Sequence, residues 1–329
     1  MSALAVLWFF LIFVLIAGYF VLDGFDLGVG VLYRALAKTD AERALVRRSI
    51  GPVWDGNEVW LLTAGGALFA AFPAAYATTF SGFYLAVMLV LFGLIVRAVS
   101  LEFGAHDPKW GRVWDACFTV GSFLPALLLG VALGNVIAGV PLAANGDYAG
   151  VPLLGLLSPF TLVVGALGFA MCMAAGAAWV ALKTERTSAV HGRAEKQRRV
   201  WHVVALALFV VATVLAFTVV KPQFAPGMLV AGAIFAIAFV ACIAASIVQA
   251  KKGNDLAAFV LQSIAAVCLV ALTAVSLFPN LVVAAPGSVG ESITLMNAAS
   301  SDTSLAWMTG IACIGVPLVL VYHVIAYRV

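Results

Sequence analysis

Four acidic residues fall inside apolar stretches of the sequence, where a charge is costly. They form two pairs, Asp23 with Asp26 and Asp55 with Glu58, and the members of each pair are three positions apart. On a helix this spacing places both carboxyl groups on one face. Ionisable groups within membrane spans are rare and commonly mark ion pathways or proton relays. The pattern therefore indicates a set of proton-binding groups.

The two acidic pairs are predicted to lie at similar depths in the membrane. With a rise of about 1.5 Å per helical residue, Asp26 lies roughly 12 Å and Asp23 roughly 16 Å before Arg34. Asp55 and Glu58 lie roughly 6–11 Å beyond the loop that follows. Helices joined by a short loop are usually neighbours. We therefore expect all four acids to line one hydrated cleft in the cytoplasmic half of the protein.

Arg97 lies at the inner end of the next apolar run, at a depth where its guanidinium could neutralise one of these acids. Carboxylates and water that open to the cytoplasm are what a proton intake route requires. The competing interpretation is an interfacial polar cluster that caps helix ends, with Asp55 as an N-cap after Pro52 and Trp54. The residues alone leave both interpretations open.

The composition places these acids in a polytopic membrane protein. Of the 329 residues, 64% are hydrophobic and 10% are charged, against about 45–50% and about 25% in soluble domains. The net charge of +3 gives no reason to expect a nucleic-acid partner.

The five cysteines are scattered in apolar runs without a C-x-x-C pair, so we expect neither a disulfide framework nor a zinc site. The first apolar run lacks a basic leader and a cleavage site, which predicts a retained helix.

Nine apolar runs are long enough to span a bilayer, which takes about 20 residues. They lie at roughly 4–33, 53–72, 79–100, 115–138, 157–182, 201–220, 227–249, 256–278 and 305–327. Every lysine and arginine except Lys221 falls on one side of this arrangement, which the positive-inside rule makes cytoplasmic. We expect one all-α transmembrane domain over 1–329, with helices 1–4 in about 4–138, helices 5–8 in about 157–278 and helix 9 in about 305–327.

The sequence offers no convincing site for a cofactor. His106 and His191 fall in predicted cytoplasmic loops, and His202 and His323 fall near the inner ends of the sixth and ninth runs. Haem ligation needs His or Met side chains on facing helices at matched depth, and no such pair is evident. There is also no phosphate loop, nucleophile motif or metal constellation. We therefore do not expect this chain to ligate a cofactor or a metal, or to be catalytic alone.

Several segments resemble subunit II of the cytochrome bd-type quinol oxidases, a family that includes the cyanide-insensitive oxidases. The segments are 19–30 (YFVLDGFDLGVG), 54–73 (WDGNEVWLLTAGGALFAAFP), 80–84 (FSGFY), 276–279 (SLFP) and 292–301 (SITLMNAASS). The resemblance implies two four-helix bundles plus one peripheral helix, with the N-terminus outside and the C-terminus cytoplasmic. It also implies a multi-pass protein of the bacterial cytoplasmic (inner) membrane.

The resemblance further implies a pseudo-symmetric heterodimer with a haem-bearing subunit I. In the family, that subunit holds two b-type haems, one d-type haem and the quinol site, while subunit II ligates no haem. Small accessory subunits, membrane lipid and quinone are the other implied partners, and no nucleic acid is expected.

The resemblance also implies roles for individual residues of this chain. Asp26 and Asp55 match acidic positions assigned to the proton path, and Asp23 and Glu58 complete the predicted path, Glu58 standing where some members have Gln. Supporting or interface roles are expected for a second set: Trp54, Asn57, Trp60 and Arg97. Ala98 follows Arg97 where the family pattern leads us to expect Pro, which predicts an altered helix end.

The implied mechanism oxidises quinol in subunit I near the outer surface and reduces oxygen to water with protons from the cytoplasm. Part of that proton flow would pass through this chain, and a gradient would form without pumping. The competing class is a secondary transporter with a carboxylate-lined proton site. Transporters usually place such sites near the midplane within paired repeats, and the C-terminal half shows no second acid cluster. A third interpretation is a scaffold subunit without a proton role.

Overall fold

A computed structural model describes residues 2–104 and 106–328 and shows that each of the nine apolar runs is helical. The helices are α1 (Ala3–Leu36), α2 (Asp40–Ile50), α3 (Trp54–Ala71), α4 (Pro73–Gly82), α5 (Tyr84–Phe103), α6 (Gly111–Ala138), α7 (Pro159–Lys183), α8 (Ala189–Leu215), α9 (Met228–Lys251), α10 (Asp255–Leu277), α11 (Leu295–Ala298) and α12 (Asp302–Ala326). A π-turn, Ala216–Val220, extends α8. Two short strands, β1 (Asn280–Val282) and β2 (Ile293–Thr294), pair antiparallel.

Within the described residues, eight helices are long and apolar enough to cross a membrane, namely α1, α5, α6, α7, α8 with its π-turn, α9, α10 and α12. The chain is therefore a multi-pass membrane protein. The remaining predicted span corresponds to α3, which has 18 residues and opens with the polar string Trp54 to Glu58. That string lowers the mean hydropathy of α3, so the count of nine spans stays a prediction.

The long helix α1 lies at the centre of the protein, packed against α3, α6, α7 and α10. Glycines allow its backbone to touch that of α7: a Cβ atom on Gly28 would lie only 1.9 Å from the carbonyl oxygen of Cys172. Between α6 and α7, a Cβ on Gly130 would lie 2.9 Å from the Cα of Gly165. Gly28 and Gly130 belong to two G-x-x-x-G motifs, Gly24–Gly28 and Gly130–Gly134, and this spacing permits close helix approach.

The loops predicted to share one side meet at one end of the helices, here called the basic end (residues 37–53, 106–115, 184–199 and 251–255). Arg47 donates to Asp115 at 2.7 Å, which joins α2 to α6. Arg198 donates to Asp255 at 3.0 Å, which joins α8 to α10. Neither α2 nor the early start of α8 was predicted from hydropathy, because both segments are polar and basic.

Local capping explains both of these unpredicted segments. Thr39 and Glu42 form a capping box at the start of α2. Ser188 accepts a hydrogen bond from the backbone N–H of His191 at the start of α8. The helix therefore begins twelve residues before the predicted position 201, and the placement of His191 in a loop was wrong, since His191 lies in the first turn of α8 and is buried.

The opposite end of the helices is closed by a loop cap, defined as residues 139–158 and 278–301. The backbone N–H of Val140 donates to the oxygen of Val283, and the N–H of Ala285 donates to the oxygen of Val140, both at 2.9 Å. The hydroxyl of Thr78 on α4 donates to the oxygen of Gly146 at 2.8 Å. The loop cap thus connects segments that follow α3, α6 and α10.

Candidate functional site

The centre of the site is the guanidinium of Arg97 on α5, which is fully buried. Its Nη2 donates to Oδ1 of Asp23 on α1 at 2.6 Å and lies 3.0 Å from Oε1 of Glu58 on α3. The Asp23 side chain is also fully buried, whereas that of Glu58 is 22% exposed. Three helices therefore each contribute one charged group, and Arg97 lies within ion-pair distance of two acids.

Asp26 lies one turn from Asp23 on α1 and is fully buried. Its Oδ2 accepts a hydrogen bond from Nδ2 of Asn57 at 2.7 Å. The same Nδ2 lies 3.4 Å from the backbone oxygen of Leu22, and Oδ1 of Asn57 accepts from the hydroxyl of Tyr327 at 2.9 Å. The structure thereby brings Asp26 and Asn57, both selected from the sequence, into one hydrogen-bonded unit.

Asp55 points away from this cluster. It is the second residue of α3 and is exposed, on the face that also exposes Val59 and Leu62. The N-cap of α3 is Val53, and no side chain caps this helix start, so the N-cap interpretation of Asp55 was wrong. Three of the four acids meet around Arg97 and Asn57, while Asp55 lies at the chain surface on a stripe that is otherwise apolar.

Trp60 joins α3 to two other helices. Its Nε1 donates to Nε2 of His323 on α12 at 3.2 Å. A Cβ on Gly18 of α1 would lie 2.2 Å from the Trp60 ring, so this glycine makes room for the indole. Trp54 is the half-buried first residue of α3.

The residue after Arg97 leaves α5 intact. The helix runs through Ala98 to Phe103 without a break, because alanine keeps the backbone N–H that a proline would lack. A Cβ on Gly121 of α6 would lie 2.7 Å from the backbone nitrogen of Arg97, so α5 and α6 are in close contact at this level.

Each described histidine has a ring nitrogen within hydrogen-bond distance of a protein group. Nε2 of His202 lies 2.8 Å from Oε1 of Gln262, and Nδ1 of His191 lies 3.1 Å from the oxygen of Ala181. An apolar cavity of about 280 Å³ lies among α1, α6, α7, α8, α9 and α10, and its lining includes Met171 but none of the four histidines.

At the basic end, Arg193 at the start of α8 binds Glu42 on α2. Hydrogen bonds from Arg193 and from the backbone of Lys38 and Thr39 hold the pKa of the Glu42 carboxyl down at about 2. Arg193 also donates to the backbone oxygen of Leu36 at 2.7 Å. This arginine therefore fastens the loop after α1 to the start of α8.

Tyr327 is the residue of the site that the sequence analysis missed. It follows the last residue of α12, about 270 positions from Asn57, and its ring contacts Phe25 and Trp179. The only available signal was an aromatic group at the basic end of an apolar helix, which is also typical of membrane-interface anchors. The contact with Asn57 depends on how α12 packs against α3.

These features define a polytopic helical membrane protein with a buried arginine–carboxylate site near its basic end. The family model of the cytochrome bd terminal oxidase subunit II matches residues 4–329. The chain belongs to this family.

Named relatives and a solved structure agree with that assignment. The chain is 34% identical to the cytochrome bd-I ubiquinol oxidase subunit 2 of Escherichia coli (strain K12), over 99% of this chain and 94% of the relative. It is also 34% identical to the cytochrome bd ubiquinol oxidase subunit 2 of Bacillus subtilis (strain 168), over 100% and 96%. A chain of the bd oxidase structure from Geobacillus thermodenitrificans has a similar fold, with a TM-score of 0.81, 14% identity, and coverage of 99% of this chain and 98% of that one.

Proposed function

We propose that this chain, as a subunit of a terminal quinol oxidase, conducts protons from the cytoplasm towards the site of oxygen reduction. Membership of the family supports the oxidase role. The observation that supports the proton role is the buried contact of Arg97 with Asp23 and Glu58, beside the buried Asp26. Such groups are expensive within a membrane and mark proton relays in many membrane proteins.

The charges of the cluster suit proton transfer. Asp23, Asp26 and Glu58 surround a single guanidinium, so Arg97 can balance one carboxylate of the three. The three carboxyl groups therefore outnumber the cation beside them, and a set of carboxyl groups within a membrane protein is suited to passing protons from one group to the next.

Asp55 serves as the entry group in this proposal. It lies one turn from Glu58 at the start of α3, near the basic end. A carboxylate on an apolar stripe is unfavourable against lipid, so we place this face of α3 against a partner subunit that leaves a hydrated path beside Asp55. Protons then pass from Asp55 to Glu58 and on to the buried acids.

The rest of the complex follows from the family resemblance. We place this chain beside a haem-bearing subunit I in a pseudo-symmetric pair, with small accessory subunits, lipid and quinone as further partners. Two b-type haems and one d-type haem in subunit I would supply the electron transfer and oxygen chemistry. The chain would be one transmembrane domain of nine spans, with two four-helix bundles and α12 as the peripheral helix, and α12 packs mainly on α1 and α3.

Orientation follows from the distribution of charge. The basic end faces the cytoplasm of a bacterial inner membrane by the positive-inside rule, so the loop cap faces outwards. This arrangement places Asp55 on the side from which protons enter, and no pumping step is required. The transporter alternative also fits buried carboxylates, but it is less favoured because transporters usually place such sites near the midplane within paired repeats.

The proton role is tested with Asp55→Asn in the complete complex. We expect the oxygen consumption rate to fall at least about tenfold, because losing a proton-transfer group typically costs about 10²- to 10⁴-fold. Haem content is checked by a reduced-minus-oxidised optical spectrum. The matched control is Asp40→Asn, since the Asp40 side chain is 98% exposed at the same end. Wild-type turnover in a fully haem-loaded Asp55→Asn complex would refute the proton role.

A further inference from the structure

The end of α12 is fastened to the start of α3 by three aromatic side chains. The hydroxyl of Tyr322 packs where Gly56 lacks a side chain, since a Cβ there would lie 2.8 Å from it. His323 accepts from Trp60 at 3.2 Å. Tyr327 donates to Asn57 at 2.9 Å. These contacts connect the peripheral helix to the part of α3 that carries the acids.

The contact between Tyr327 and Asn57 continues to the buried acid Asp26. From Tyr327 a continuous chain of hydrogen bonds runs through Oδ1 and Nδ2 of Asn57 to Oδ2 of Asp26. Asn57 and Asp26 are both fully buried. The Tyr327 ring is held in place by the ring of Trp179, with centroids 5.7 Å apart, and by the ring of His323 at 6.1 Å. The hydroxyl therefore has a fixed position relative to the amide.

We propose that Tyr327 is a positioning residue that sets the orientation of the Asn57 amide and, through it, the proton occupancy of Asp26. The proposal rests on the proposed function only in treating Asp26 as part of a proton path. Tyr327 itself transfers no proton in this proposal.

The chemistry of the amide gives it two useful orientations. In the structure its NH₂ group faces Asp26, which suits an ionised carboxylate, and its oxygen accepts from Tyr327. After a half-turn of the amide, its oxygen would accept from a protonated Asp26, and its NH₂ would donate to the Tyr327 oxygen. By donating to the amide oxygen, the Tyr327 hydroxyl favours the first orientation. A phenylalanine has no donor and removes this preference.

Other groups that face Asp26 stay in place when Tyr327 is changed. They are Asp23 on α1, Glu58 on α3 and Arg97 on α5. None of them contacts the Tyr327 hydroxyl among the hydrogen bonds of the described residues. Replacing Tyr327 with Phe therefore removes one hydroxyl and leaves the surrounding charges unaltered.

The test measures the Asp26 carboxyl directly in the purified, haem-loaded complex. Infrared difference spectroscopy identifies its C=O band by the loss of that band in Asp26→Asn, and the band is then titrated with pH. In Tyr327→Phe we expect the midpoint to rise by about one pH unit, because the charge-assisted chain favours the ionised form. The pH profile of oxygen consumption should move in the same direction.

Tyr322→Phe is the matched control, because it removes the same atom five residues earlier on the same helix end. We expect this control to leave the Asp26 midpoint unchanged. An unchanged midpoint in Tyr327→Phe, or an equal shift in both variants, would overturn the proposal.

A second variant covers the case in which Tyr327→Phe does not assemble. Asn57→Leu keeps the branched shape of the side chain and removes the amide, so it must also move the midpoint. Adding Tyr327→Phe to Asn57→Leu should then change nothing further, since the hydroxyl acts only through the amide. Additive shifts would overturn the proposal. Wild-type turnover in Asp26→Asn would instead count against the proton path, and the infrared titration would still decide the role of Tyr327.

Discussion

Arg97 on α5 and Asp23 on α1 are joined by a hydrogen bond of 2.6 Å, and neither side chain has any exposed surface. A buried ion pair gains little over an apolar pair, but removing one partner leaves an uncompensated charge. The stability of the acid cluster therefore depends on the guanidinium of Arg97.

Arg97→Gln should destabilise the complex strongly. Asp23 and Glu58 would lose their common cation, and breaking a buried pair typically costs about 3–5 kcal/mol. We expect a lower thermal unfolding midpoint and a lower yield of haem-loaded complex, both measured after purification. Adding Asp23→Asn to Arg97→Gln should restore part of the loss. Arg48→Gln, at an exposed position, serves as the control, and an equal effect of both single variants would contradict this interpretation.

The contact between α1 and α7 predicts a sharp difference between two glycines of one motif. A Cβ on Gly28 would meet the backbone of Cys172 at 1.9 Å, whereas a Cβ on Gly24 would lie 3.7 Å from the Cys172 sulfur. Gly28→Ala should therefore cost about 1–3 kcal/mol through overpacking, while Gly24→Ala should be nearly neutral. Thermal unfolding midpoints of the two purified complexes measure this, and equal midpoints would show that α1 and α7 are further apart than described.

The contact between Glu42 and Arg193 predicts an acid dependence of stability. The folded pKa of Glu42 is about 2, below its ordinary value of 4.5. A depressed folded pKa means that the stabilisation is complete above pH 4.5 and is lost as the pH falls towards 2. Glu42→Gln should lower the unfolding midpoint at pH 7, and the difference from wild type should shrink below pH 4.5.

The control for this pH series is Glu185→Gln, an exposed acid in the loop before α8. Its difference from wild type should stay small and constant between pH 7 and pH 3. A Glu42→Gln difference that grows on acidification would mean that Arg193 does not hold this carboxyl in the folded protein.

Hydropathy alone located every long helix, because a bilayer demands an apolar run wherever a helix crosses it. It could not locate α2, whose start is nevertheless encoded by the capping residues Thr39 and Glu42. It also missed the first three turns of α8, which lie outside any apolar run. Hydropathy could not predict the loop cap either, because the pairing of Val140 with Ala284 depends on how distant helices are arranged.

The acid cluster was predictable in part. Charge within apolar runs selected Asp23, Asp26, Glu58 and Arg97, and depth along the helices predicted that Arg97 would meet an acid. Charge and depth do not determine how each helix is rotated about its axis. The outward direction of Asp55 and the contact of Asn57 with Asp26 were therefore not predicted. Tyr327 was missed because nothing near it in the sequence indicates its partner.

The loop cap has a mechanical consequence. Its backbone hydrogen bonds tie the segment after α6 to the segment after α10, so the helices 3–138 and 159–277 are bound together at that end. Glycine contacts lock α1 to α7 backbone against backbone. These contacts oppose rocking of one group of helices against the other. We therefore expect the walls of the proton route to stay still during turnover, with the rate set by side-chain rotations and the rearrangement of water.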